Sequence, residues 1–169
     1  MSLLERDGSK KIEISALQYD GIQKCLTELT QKTKATALLL SDINGQLIAQ
    51  NGNIKQINTS VLSALAASDF AATSEMAKIV GEKARFRLLF HEGETNNVYL
   101  SNVGENHFLV IVFNTNVTLG VIRVYTKKAV EALLEIVCNS SEFSDGGKDI
   151  LNTEFNLRLN DALDNIFKK

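Results

Sequence analysis

His107-Phe108-Leu109-Val110-Ile111-Val112-Phe113 is a run of seven residues with no polar side chain after the histidine. It is too short for a buried helix and rich in β-branched and aromatic residues, so it reads as a strand. A strand that is apolar on both faces has to be covered on both, which puts it in the middle of a sheet with helices on either side. Gly104-Glu105-Asn106 is the turn that leads into it.

Further strands lie upstream. Asn97-Val98-Tyr99-Leu100-Ser101 is one, and Phe86-Arg87-Leu88-Leu89-Phe90-His91 is another, parted by Glu92-Gly93-Glu94. Nearer the N-terminus, Thr36-Ala37-Leu38-Leu39-Leu40-Ser41 and Gln46-Leu47-Ile48-Ala49 flank Asp42-Ile43-Asn44-Gly45. Asn and Gly tolerate positive φ, so this reads as a hairpin. Ser15-Ala16-Leu17-Gln18 has the form of a capping box and opens a helix over residues 16–32, with Gly21 its weak spot. Asn58-Thr59-Ser60 caps a second helix over 60–80, which ends before Gly81. The stretch 119–138 is ambiguous. Val121, Ile122, Val124 and Tyr125 favour a strand by propensity, whereas Leu119, Ile122, Ala129, Leu133 and Ile136 share one helical face. We read it as a helix. Ser140 to Lys148, with Gly146-Gly147, reads as a linker. It is followed by a short amphipathic helix carrying Leu157, Leu159, Leu163, Ile166 and Phe167.

The expected fold is therefore α+β, an α/β sandwich. A five-stranded, mainly antiparallel sheet has helices on both faces in the order α-β-β-α-β-β-β-α, plus a helical tail. The parts are a polar N-terminal segment 1–14, one domain over 15–139, and a linker with the C-terminal helix over 140–169.

The chain has 169 residues, 44% of them apolar, which suits one domain with a sizeable core. Its net charge is −2, and the 18 Lys and Arg residues are scattered, so nucleic acid is not an expected partner. No apolar run is long enough for a membrane span, and the N-terminus lacks the apolar centre of a signal peptide. Cys25 and Cys138 read as reduced thiols in separate apolar patterns. His91 and His107 make no metal-ligand spacing with them. There is no GxxxxGK[ST] phosphate loop and no Ser/His/Asp arrangement in a recognisable context. Glu92 and Glu94 read as a solvated loop. We expect no catalytic residue, no metal and no cofactor.

The pattern over Thr36 to Ile136 resembles the Roadblock family, which is related to dynein light chains. The carriers are Leu40-Ser41-Asp42-Ile43-Asn44-Gly45, the helix with Ala71-Ala72-Thr73, Gly81-Glu82, Phe90-His91-Glu92-Gly93-Glu94, Leu109-Val110-Ile111-Val112-Phe113 and Thr118-Leu119-Gly120-Val121-Ile122-Arg123. Within that family the chain is similar to the MglB group, bacterial gliding-motility regulators of the Ras-like GTPase MglA. The run from Ala77 into Phe90-His91-Glu92-Gly93 and the acidic C-terminal stretch carry this narrower likeness.

The resemblance implies a cytoplasmic homodimer that regulates a small Ras-like GTPase of the MglA type in cell polarity or motility, with a cell pole as a candidate site of concentration. It implies pairing through the strand Phe86, Arg87, Leu88, Leu89 and Phe90. The residues agree independently, since an unpaired edge there, with no proline and one charge, would be an aggregation hazard.

The second helix carries two stripes. Leu62, Leu65, Ala66, Met76 and Val80 read as its core face, with Asp69 unexplained on the same side. Ala64, Ala67, Ala71, Ser74 and Lys78, with Ser68 and Glu75 beside them, form a small-residue stripe with a polar rim. It reads either as packing against a two-fold mate or as a docking platform, and the resemblance favours the platform. Arg85, Arg87 and Arg123 are the candidates for an arginine finger, and none is well placed by the expected topology. The resemblance implies instead that the regulator positions catalytic groups the GTPase already owns. In the tail, Leu163, Ile166 and Phe167 either pack on the protein itself or contact the GTPase from a mobile helix. Three rival readings remain: a Roadblock scaffold that binds a GTPase without stimulating hydrolysis, a small-ligand sensor, and an enzyme.

Overall fold

The computed structural model describes residues 14–138 and 150–167. The expected polar segment before residue 14 and the expected linker lie outside the described residues. Four helices and five strands follow in the order α1 (Ala16–Thr33), β1 (Ala37–Asp42), β2 (Leu47–Gly52), α2 (Thr59–Ile79), β3 (Leu88–His91), β4 (Asn96–Val103), β5 (His107–Asn114), α3 (Leu119–Cys138) and α4 (Ile150–Phe167).

The strands form one sheet in the order β2-β1-β5-β4-β3, with every neighbouring pair antiparallel. The doubly apolar run is the central strand, with Val110 opposite Leu39 of β1 on one side and Leu100 of β4 on the other. Its alternation divides the core into two. Leu109, Ile111 and Phe113 point into a layer shared with α1, α3 and α4. Phe108, Val110 and Val112 point into a smaller layer under α2. Three helices therefore cover one face of the sheet and α2 alone covers the other.

The capping box at Ser15 forms as its sequence suggests: the Ser15 hydroxyl accepts from the Gln18 amide and the Gln18 side chain accepts from Ser15 N–H. Gln18 is also tied to α3, donating from Nε2 to the Ile136 carbonyl at 2.9 Å. The stretch 119–138 is a helix throughout. Its apolar face, Ile122, Ala129, Leu133 and Ile136, is fully buried, and that burial outweighs the strand propensity of its first turns.

The C-terminal helix is not short: α4 runs for 18 residues. Leu163 and Phe167 lie in the core with α1 and α3, and Ile166 is partly buried against it. Of the two readings of the tail, packing on the protein itself is the one these contacts support. Gly21 lies under the same helix. A Cβ there would meet Leu159 Cδ2 at 2.8 Å, so the glycine that weakens α1 makes room for α4. Lys24 Nζ donates to Asn160 Oδ1 across the same seam.

His107 opens β5 at 5% exposure, and its Nε2 has no hydrogen-bond partner among the described residues. Burial holds its imidazole below the ordinary histidine range, with the Asp42 carboxylate pulling the other way.

Two measurements check this packing. Leu163→Ala should lower unfolding stability by about 2–5 kcal/mol, as removal of a buried leucine does; an unchanged urea midpoint would mean that α4 is not docked. His107 should make stability depend on pH. The unfolded chain takes up a proton that the folded chain resists, so the contribution is complete above about pH 6.5 and is lost as the pH falls from there to the folded value. Melting temperature measured from pH 7.5 to 5 should therefore fall more steeply for the wild type than for His107→Gln, and parallel curves would contradict it.

Candidate functional site

Helix α2 is the element whose surface is not used up by the fold. Asn58 caps it, accepting from the Val61 amide at 3.2 Å. Its inner face is made of Ser63, Ala66, Ala67, Phe70 and Ala77. Phe70 lies against Phe108 with ring centroids 5.1 Å apart. The Ser63 and Ser41 hydroxyls share a buried hydrogen bond of 2.7 Å that joins the helix to β1.

This corrects the core face read from spacing. Ala66 is inside as expected and Leu62 is half-buried, but Leu65 is 62% exposed, Met76 56% and Val80 69%. Val61 and Ile79 join them at 51% and 85%. Close approach is part of the physical reason: beside the β1–β2 turn only small side chains fit against Gly45, while Phe70 further along takes the space over Phe108.

The small flank has two parts. Ala64 and Ala67 lie against the β1–β2 turn, where Gly45 has φ +84° and a Cβ would meet Ala64 Cα at 2.8 Å. Asp42 holds that turn, its Oδ1 accepting from the Asn44 and Gln46 amides at 2.9 and 2.8 Å. Ala67 is buried there, while Ala64 touches the turn through its backbone and remains exposed. Further along, Ala71 and Ser74 line a cavity of about 190 Å³ together with Ile43, Phe70, Phe108, Asn102 and Arg85. Ser68, Glu75 and Lys78 stand in solvent beside it. Glu75 and Lys78 pair at 2.6 Å, an exposed pair worth little stability.

The sheet edge lies on the other side of α2. β3 begins at Leu88, so Phe86 and Arg87 precede the strand instead of forming part of it, which corrects that boundary. Both are still fastened to β4: Asn102 N–H donates to the Arg87 carbonyl and Asn102 Nδ2 to the Phe86 carbonyl. Leu88 and Phe90 pack toward the larger core layer and Leu89 toward the smaller, and among the described residues the outer backbone edge of β3 has no strand neighbour. His91 Nε2 meets Asp69 Oδ2 at 2.5 Å. That contact ties α2 to β3 and accounts for Asp69, whose place on the helix spacing alone does not explain.

The titratable groups show no catalytic constellation among the described residues. Burial, with Glu28 adding to it, pushes the Cys25 thiol up to about 12, so no thiolate forms at neutral pH. Arg123, on α3, faces Tyr99 on the larger-core side of the sheet, away from α2. Arg85 is the arginine that sequence reasoning misplaced, since it lines the cavity beside Ala71. Among the described residues no group of three His, Cys, Asp or Glu is gathered to hold a metal, and no helix is long and apolar enough to cross a membrane.

Residues 21–113 match the Roadblock/LC7 domain family. The chain is similar to Myxococcus xanthus MglB, at 31% identity and TM-score 0.71, covering 85% of this chain and all of that one. The gliding protein MglB from Thermus thermophilus is 32% identical with TM-score 0.73, covering 77% of this chain and 98% of its own. An uncharacterized protein of Aquifex aeolicus (strain VF5) is 24% identical over 153 residues, 89% of this chain and 94% of that protein.

Proposed function

The chain belongs to the Roadblock/LC7 domain family, and from that premise we propose that it is a homodimeric regulator of a small Ras-like GTPase of the MglA type. In this reading it stimulates GTP hydrolysis in the cytoplasm, in the service of cell polarity or gliding motility, and has no active site of its own. The observation that carries the reading is the outward face of α2. Val61 and Leu65 near its start and Met76 and Ile79 near its end form an exposed apolar stripe in two parts on one side of the helix, the kind of surface that marks an interaction site.

The stripe has a natural mate in a second copy. It adjoins the unpaired edge of β3 through the Asp69–His91 contact, so strand pairing between two copies would bring two such helices together. Pairing would satisfy the β3 backbone and bury the apolar stripe in one step. Ala71, Ser74, Glu75 and Lys78 lie on the other flank and would stay free. Together with Ala64 and Ser68 they make the surface on which the GTPase docks, a small-residue centre with a polar rim.

Hydrolysis then needs geometry more than added chemistry. A regulator that binds the catalytically competent arrangement of the GTPase more tightly than the idle one shifts the population toward it. An arginine finger would add about 10³–10⁵ in rate, and Arg123 lies on the wrong side of the sheet to supply one.

Ile79→Asp combined with Leu65→Asp should convert the dimer to a folded monomer, seen as a halved mass by light scattering with an unchanged circular-dichroism spectrum. A dimer that survives both changes would exclude the α2 stripe from the interface. For the activity, the GTPase loaded with GTP should hydrolyse it at least about tenfold faster with this protein present, a change of roughly 1.4 kcal/mol in the barrier. Tight binding with unchanged turnover would make the protein a scaffold.

A further inference from the structure

The cavity beside Ala71 is not needed by the fold and is not part of the apolar stripe. Its floor is Phe70 and Phe108, with Ala67, Ala71 and Ile43 around it. At about 190 Å³ it is well below the roughly 300–1,000 Å³ that hold a whole small-molecule ligand. A single large side chain is the size of occupant it suits.

Its polar groups narrow the choice. The Ser74 hydroxyl donates to the Phe70 carbonyl at 2.7 Å and Asn102 Nδ2 donates to the Phe86 carbonyl at 2.9 Å. Arg85 is different: it is exposed, and among the described residues it makes no ion pair. The segment around it, Glu82-Lys83-Ala84-Arg85-Phe86-Arg87, carries three cations against one carboxylate, on a chain whose net charge is −2. The mouth of an apolar pocket is thus marked by an uncommitted guanidinium on a locally basic segment. Guanidinium forks recognise carboxylates in two-point contacts.

We propose that this cavity is the anchor point for the partner protein: it receives one aliphatic or aromatic side chain of the GTPase, and Arg85 takes a carboxylate carried one or two residues away. The inference rests on the proposed GTPase binding and adds to it the chemistry that the docked segment must present. Such a pair joins the two features that concentrate binding energy at interfaces, a filled apolar pocket and a charged contact that steers approach. It also assigns Arg85 to binding and positioning, not to the reacting phosphate.

Titration calorimetry with the MglA-type GTPase of the same organism, loaded with a non-hydrolysable GTP analogue, tests it on the full-length protein. Ala71→Trp fills the cavity from an exposed position and should weaken binding about tenfold or more, the scale of an interface hot spot. Arg85→Glu should weaken it similarly and flatten its dependence on salt, and Arg85→Lys should restore part of the loss. With Arg85→Ala the loss should appear as a higher concentration of this protein needed for half-maximal stimulation of turnover. Ala71→Trp binding within twofold of the wild type would overturn the anchor. An unchanged salt dependence in Arg85→Glu would overturn the carboxylate contact, and lost turnover at saturation would make Arg85 a finger. A change in dimer mass in either variant would identify a second copy as the occupant and also overturn it. Wild-type protein that binds no GTPase would defeat the parent reading as well, so the two failures are distinguishable.

Discussion

The approach of the β1–β2 turn to the backbone of α2 sets the rotation of that helix, and most of what the surface offers follows from it. Gly45 leaves no room for a side chain between the turn and Ala64. The Ser41–Ser63 hydrogen bond then pins the inner face of the helix to the sheet. With Ser63, Ala66, Ala67, Phe70 and Ala77 turned inward, Val61, Leu65, Met76, Ile79 and Val80 point out. The helix thus leaves five large apolar side chains exposed among the described residues.

Two surfaces result, with different chemistry. The stripe through Leu65 and Ile79 is apolar and adjoins a free strand edge, which suits a copy of the same chain. The flank through Ala71 is small, rimmed by charge, and opens on a cavity with Arg85 at its mouth. One helix can present both because they lie on different sides of it. On the opposite face of the sheet α1, α3 and α4 share one continuous core.

Most of the sheet was legible from residue order. A strand apolar on both faces has one place to go, and the turn at Asp42 to Gly45 announces its hairpin. The capping box at Ser15 marks the start of α1 to the residue. The rotation of α2 was not legible, because the helix bears apolar residues on nearly every side and spacing cannot rank a leucine against an alanine. What decides between them is the distance to the sheet, set by Gly45 in a hairpin turn remote from the helix in sequence. The same blindness hid the tail: Leu159, Leu163 and Phe167 share a helical face, but only Gly21 on α1 shows what that face packs against. Arg85 follows no periodic pattern, and its place by the cavity depends on how the chain returns from α2 to β3.

Amide hydrogen exchange on this protein, alone and with the GTP-loaded GTPase, tests the central claim most directly, that α2 presents its small flank to the partner. The account predicts slowed exchange in residues 64–78, in the turn 42–46 and in the segment 82–87, with the amides of α1 and α3 unchanged. Protection confined to α1, α3 or α4, with none on α2, would contradict it.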